Sequence, residues 1–156
     1  MKNRQEIYKI TCIVLMLDQI MKIIVNHTMK LHQEIKIIPN FFSLYHVRNT
    51  GAAFSILENN TTFLIILTVI LIIVIDRLIR KENNFSKLSI LSLGLVLGGM
   101  FGNLIDRIIH KGVIDYLSFT IFKYDFPVFN LADIGITVGV FLLLISTLKE
   151  KEDNKI

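Results

Sequence analysis

Apolar residues run through this chain in four long stretches, at about 7–25, 62–79, 88–106 and 132–148, and each is too long for a strand. The second contains an uncharged run from 59 to 75, which as a helix is about 25 Å long, close to the thickness of a bilayer's hydrocarbon. Only 15 residues run from Ile134 to Leu148 before Lys149 ends the fourth, so that helix begins upstream, around Asn130, or sits where the bilayer thins. The pattern predicts an all-α membrane protein of four transmembrane helices in a single domain spanning 1–156.

The connecting segments differ in grain. In the long one, 26–61, the stretches 33–38 and 42–47 are rich in β-branched and aromatic residues and flank Pro39-Asn40, which predicts a hairpin and a small extracytoplasmic β-sheet, or cradle. Gly51 follows and permits a sharp turn, and 52–57 reads as a short flap helix. The polar stretch 76–87 is a plain connector. The third run carries Gly94, Gly98 and Gly102 at four-residue spacing with Gly99 beside them, a face that lets helices approach closely. In 107–131, Phe119, Phe122, Tyr124, Phe126 and Phe129 read as interfacial anchors with no chemical role.

Composition places these runs in lipid: 53% of the 156 residues are hydrophobic and 19% charged, with mean hydropathy +0.59. Ten of the 17 lysines and arginines fall in the short segments 1–9, 76–87 and 149–156, so these face the cytoplasm together with both termini. The net charge of +4 is then topogenic, and nucleic acid is not needed as a partner. Asp18 and Lys22 interrupt the first run and no small-residue cleavage site follows it, so it is expected to be a retained span. Cys12, the only cysteine, excludes an intramolecular disulfide and reads as a buried structural thiol.

Candidate chemistry concentrates at the extracytoplasmic ends of the spans. Asp18 and Lys22 share one helical face, as do Asn103 and Arg107, while Asp106-Arg107 reads as the mark of a helix end. Asp133 before an apolar run reads as a helix N-cap, Asp115 as a loop acid, and Asp106 and Asp125 compete with them as outer carboxylates. The four histidines lack His-Glu-x-x-His spacing and no Gly-x-Ser-x-Gly elbow occurs; nothing in the local sequence supports pairing Ser43, Ser55 or Ser118 with Lys22. From the residues alone the reading is a cluster of outer acids beside a membrane. A hydrolase and a small transporter or proton-coupled channel using those acids as a relay are both open.

Five motifs narrow this: Asp18-Gln19-x-x-Lys22, Asn49-Thr50-Gly51-Ala52-Ala53-Phe54, Gly102-Asn103-x-x-Asp106-Arg107, Val113-x-Asp115 and Phe129-Asn130-x-Ala132-Asp133. In these, in their order and in its four spans, the chain resembles the lipoprotein signal peptidases (signal peptidase II), bacterial membrane aspartyl proteases. Tyr116 stands where a phenylalanine is common in that family, and Ile134 where a small or polar residue is frequent. The resemblance implies an endopeptidase that removes the signal peptide from diacylglyceryl-modified prolipoproteins by cutting before the lipidated cysteine, with Asp115 and Asp133 as catalytic dyad. It implies supporting or substrate-binding roles for Asn49, Gly51, Asn103, Arg107, Asn130 and Ala132, with Asp18 and Lys22 as buttresses of the outer sheet. It further implies no metal or other cofactor, membrane lipids and lipid-modified prolipoproteins as partners, a monomer, and a bacterial inner-membrane location with the site on the extracytoplasmic side.

Overall fold

A computed structural model describes residues 2–51, 58, 60–82 and 84–153. Four helices form over the four apolar runs, each extended beyond them: α1 Lys2–Thr28, α2 Thr61–Lys81, α3 Lys87–His110 and α4 Leu131–Asp153. Length and composition qualify three of them to cross a membrane, α2, α3 and α4. The 27-residue α1 is long enough, but Lys9, Asp18 and Lys22 break its apolar surface. Two of those charges are buried, on a stripe that also holds Ile7, Thr11 and Val25.

α3 is the axis of the bundle; α1, α2 and α4 each pack on it. Its glycines explain the closeness, and they face two ways. Cβ atoms at Gly94 and Gly98 would run into Ile10 and Val14 of α1, one at Gly99 into the Ala132 carbonyl of α4, and one at Gly102 into the Asp18 carboxylate. Outward residues such as Ile66, Ile70, Phe141 and Leu144 are exposed, as a lipid-facing surface requires. Cys12 belongs to that exposed surface, contrary to the buried thiol expected; it lies one residue past buried Thr11, off the packed stripe.

The predicted hairpin is present as β1 Glu34–Ile38 and β2 Phe42–Asn49, turning through Asn40 in the left-handed region (φ 57°). The sheet is larger than expected, because the segment after α3 supplies β3 Val113–Ile121 and β4 Tyr124–Asp125, giving the antiparallel order β1-β2-β3-β4. Asp115 is therefore a strand residue, paired with Val47, and not a loop acid. Two of the aromatics read as anchors instead pack the sheet: Phe119 stacks on Phe42 at 4.7 Å and on Phe129 at 5.8 Å. Phe122, at the tip, is fully exposed. Below the sheet Val25, Met29, Ile114 and Tyr116 form a small core joining it to α1.

The proposed flap helix, 52–57, lies outside the described residues. Gly51 precedes it, buried, and no described glycine has a positive φ. The chain bends at Gly51 without left-handed backbone, and the bend is held by a bond from its N–H to Asn49 Oδ1 (2.9 Å).

Candidate active site

The site is assembled where α1, α3, β3 and the start of α4 meet, and it begins with a buried cation. Lys22 can only donate, through three N–H groups. All three find acceptors: Asp18 Oδ2 at 2.8 Å, Asp106 Oδ2 at 3.0 Å and Asn103 Oδ1 at 2.9 Å. Gln19 Nε2 ties the same knot by donating to Asp106 Oδ1 (3.1 Å) and the Gly102 carbonyl (3.2 Å). Burying ions is costly unless such partners are present, and here they tie four elements together. Asp106 accepts the Ile114 N–H of β3 (3.0 Å), and Asp18 Oδ1 accepts the Ala132 N–H of α4 (2.9 Å). Asp18 and Lys22 thus hold α4 and Asn103, and reach β3 through Asp106. Asp106 is an ion-pair partner and does not merely mark the end of α3, which continues to His110.

The first turn of α4 is equally determined. A helix start leaves backbone N–H groups without intrahelical partners. Asn130 Oδ1 accepts the Asp133 N–H (3.0 Å) while Asp133 Oδ2 accepts the Asn130 N–H (3.1 Å). This is a reciprocal capping box in which Asn130 is the cap and Asp133 the third helical residue; Asp133 is not itself the N-cap. The Leu131 amide lies against the Tyr116 hydroxyl, whose pKa burial and then the Asp18 charge push up to about 12. Ala132, fully buried, has its Cβ 3.4 Å from where a Cβ on Gly102 would lie.

These restraints converge on two carboxylates. Asp115 Oδ1 accepts Asn130 Nδ2 at 2.6 Å and its Oδ2 accepts Asn49 Nδ2 at 3.1 Å. Asp133 Oδ1 accepts Asn103 Nδ2 at 2.8 Å. The amide orientations follow from the neighbours: Lys22 demands the oxygen of Asn103, so its nitrogen faces Asp133, and Asn130 Nδ2 also donates to Asn103 Oδ1 (3.2 Å). Every described side-chain or backbone group bonded to either carboxylate is a donor, so a proton on one of them would have only the pocket or the other aspartate to face. Burial, then the charge of Asp133, raises the Asp115 pKa from 3.8 to about 7, against the donors Asn49 and Asn130 and the Lys22 charge.

Both aspartates line one pocket of ≈ 750 Å³, together with Asn49, Asn103 and Arg107 and the apolar Val128, Phe129, Ile134 and Val138. Arg107 donates to the Gly51 carbonyl (3.2 Å), and its buried Nε has no partner among the described residues. Of the competing acids, Asp106 is taken up by Lys22, and Asp125 is exposed at the sheet edge, where it accepts the Thr120 hydroxyl (2.8 Å). Neither lines the pocket.

A family model described as signal peptidase (SPase) II matches residues 10–149. The chain belongs to the signal peptidase II family. The lipoprotein signal peptidase of Maridesulfovibrio salexigens is 41% identical over 147 residues, 91% of this chain and 94% of that one. That of Symbiobacterium thermophilum is 44% identical over 133 residues, 85% and 88% of the two chains. A bacterial membrane enzyme solved by the in meso method at 2.3 Å superposes with a TM-score of 0.85 at 36% identity, covering 92% of this chain and 88% of its own. A second, at 1.9 Å, gives 0.80 at 37% identity over 90% of each. The family is one of proteases.

All ten residues singled out from the sequence are accounted for. Asp115, Asp133, Asn49, Asn103 and Arg107 line the pocket; Gly51, Asn130, Ala132, Asp18 and Lys22 stand behind it. Gln19 and Asp106 were not assigned their part. The only sequence signal for either was position: Gln19 sits within the Asp18–Lys22 motif, and Asp106 one turn past Gly102.

Proposed function

We propose that this protein is an aspartyl endopeptidase that removes signal peptides from diacylglyceryl-modified prolipoproteins by cutting before the lipidated cysteine, with Asp115 and Asp133 as its dyad. The observation that carries this is Asn130, which from behind the pocket donates with its side chain to Asp115 and with its backbone to Asp133, two carboxylates that line it. Two carboxylates so placed share a proton, and burial with the Asp133 charge raises the Asp115 pKa, which suits Asp115 to carry it. Asp133 takes a proton from water as the oxygen attacks the scissile carbonyl. Asp115 gives its proton to the developing oxyanion, and the dyad then protonates the departing amine of the lipidated cysteine. Arg107, with an unused donor, holds a substrate carbonyl. Asp18, Lys22 and Asp106 position and do not relay: they bond to one another, and a relay would need ionisable groups through the membrane depth, where residues 59–75 have none.

α1 crosses the membrane with the other three, its buried charges satisfied by α3, so both termini are cytoplasmic and the sheet and dyad extracytoplasmic. The monomer holds the whole site, and lipids cover its exposed apolar faces. The test is cleavage of a lipidated prolipoprotein by purified protein. Asp115→Asn and Asp133→Asn should insert normally and lose at least a hundredfold in turnover, about 2.7 kcal/mol of transition-state stabilisation. A variant that keeps a tenth of the activity removes that residue from the dyad.

A further inference from the structure

A threonine inside a helix ordinarily spends its hydroxyl on the carbonyl one turn back. In a membrane helix, with no water to replace that partner, the habit should be stronger. Thr11, Thr28, Thr68 and Thr147 all follow it, bonding the carbonyls of Ile7, Ile24, Leu64 and Leu143 at 3.0, 2.7, 2.7 and 2.9 Å. Thr137 is the exception. It lies beyond the first turn of α4 and its hydroxyl makes no hydrogen bond to any described residue, yet it lines the pocket with Asp133, Asn103 and Arg107. It sits one turn past Asp133, about 6 Å further along the helix axis. Its neighbours on that wall, Ile134, Ile136 and Val138, are apolar, so its hydroxyl is the polar feature of the stretch.

We infer that the Thr137 hydroxyl donates a hydrogen bond to a carbonyl oxygen of the bound substrate and so positions the scissile bond over the dyad. This rests on the reading of the pocket as the site of prolipoprotein cleavage. The substrate brings two kinds of carbonyl to that depth. One is a backbone amide of the signal peptide, on the acyl side of the cut, which must be extended there and cannot satisfy its own backbone. The other is the ester of the diacylglyceryl group. In hydrocarbon either needs a donor, and a free hydroxyl one turn from the carboxylate supplies it.

The experiment compares wild type, Thr137→Val and Thr137→Ser on two lipidated prolipopeptides, one with ester-linked and one with ether-linked chains. Thr137→Val keeps the shape and removes the donor; kcat/KM should fall about five- to tenfold on the ester substrate with unchanged thermal stability. Thr137→Ser restores the donor and should stay within about twofold of wild type. If the acceptor is the peptide amide, the valine variant loses the same factor on both substrates. If it is the lipid ester, wild type itself loses that factor on the ether substrate and the valine adds nothing further. A valine variant equal to wild type on both substrates, or a serine variant as poor as valine, overturns the inference. Wild type that cleaves neither substrate overturns the reading of the pocket instead.

Discussion

Asp115 shows how a residue's chemistry is set by what surrounds it. Its carboxyl, with a pKa of about 7, holds a proton in the folded protein that the unfolded chain has already lost above about pH 4. Protons are then in excess on the folded side, so this group's contribution to stability falls as pH rises from about 4 to 7 and is level beyond. The difference in melting temperature between wild type and Asp115→Asn should change over that window and stay constant above it. Turnover should fall about tenfold per pH unit above pH 8, as the acid form is lost. A rate that holds level to pH 9 would show that Asp115 is not the group that must stay protonated. Little of this could be read from the chain. The motifs pointed to Asp115 and Asp133, but Asp106 is separated by more than eighty residues from Lys22, its ion-pair partner, and local sequence carries no sign of that contact. Asn130 was the opposite case: the Asn130-x-x-Asp133 spacing is a capping-box signature, and its consequence for the dyad needed only the strand that brings Asp115 beside it.

Among the elements, the helices were legible because a long apolar run in a membrane protein has one structural solution. β3 was not, since its partner β2 lies about seventy residues earlier and strand pairing is decided by that distant edge. The glycine face was read as one packing stripe, whereas its members serve different neighbours, and that makes a distinction testable. A Cβ at Gly102 would collide with the Asp18 carboxylate, which cannot withdraw without releasing Lys22 or the Ala132 N–H. At Gly135 it would meet only the Leu95 carbonyl at 3.3 Å and Val14 at 3.5 Å. Gly102→Ala should therefore cost about 1–3 kcal/mol as an overpacked site and lower cleavage by moving Asp133. Gly135→Ala should be near neutral, helix propensity offsetting a tight contact. Thermal unfolding in detergent and cleavage rates decide it: two variants that behave alike would mean that the close approach at Gly102 has no part in holding the site.

For the molecule as a whole, α1 decides how it stands in the membrane. Its buried Asp18 and Lys22 lower its hydropathy below that of a simple span, but both are satisfied within the bundle, so lipid would meet only its apolar outer face, Ile13, Met16, Leu17 and Ile20. An internally paired charge costs a membrane helix far less than a lipid-facing one. α1 should therefore cross, which puts the sheet on the side opposite the basic segments and the dyad with it. In a Cys12→Ser background, needed because Cys12 is exposed, single cysteines at Asn60 and at Lys123 of the β3–β4 turn should react with an impermeant thiol reagent in intact cells. One at Asn84, between α2 and α3, should react only after the cells are opened. Labelling at Asn84 with protection at Asn60 and Lys123 would invert the topology and place the pocket in the cytoplasm. Reaction of Asn60 and Asn84 alike in intact cells would mean that α2 does not cross.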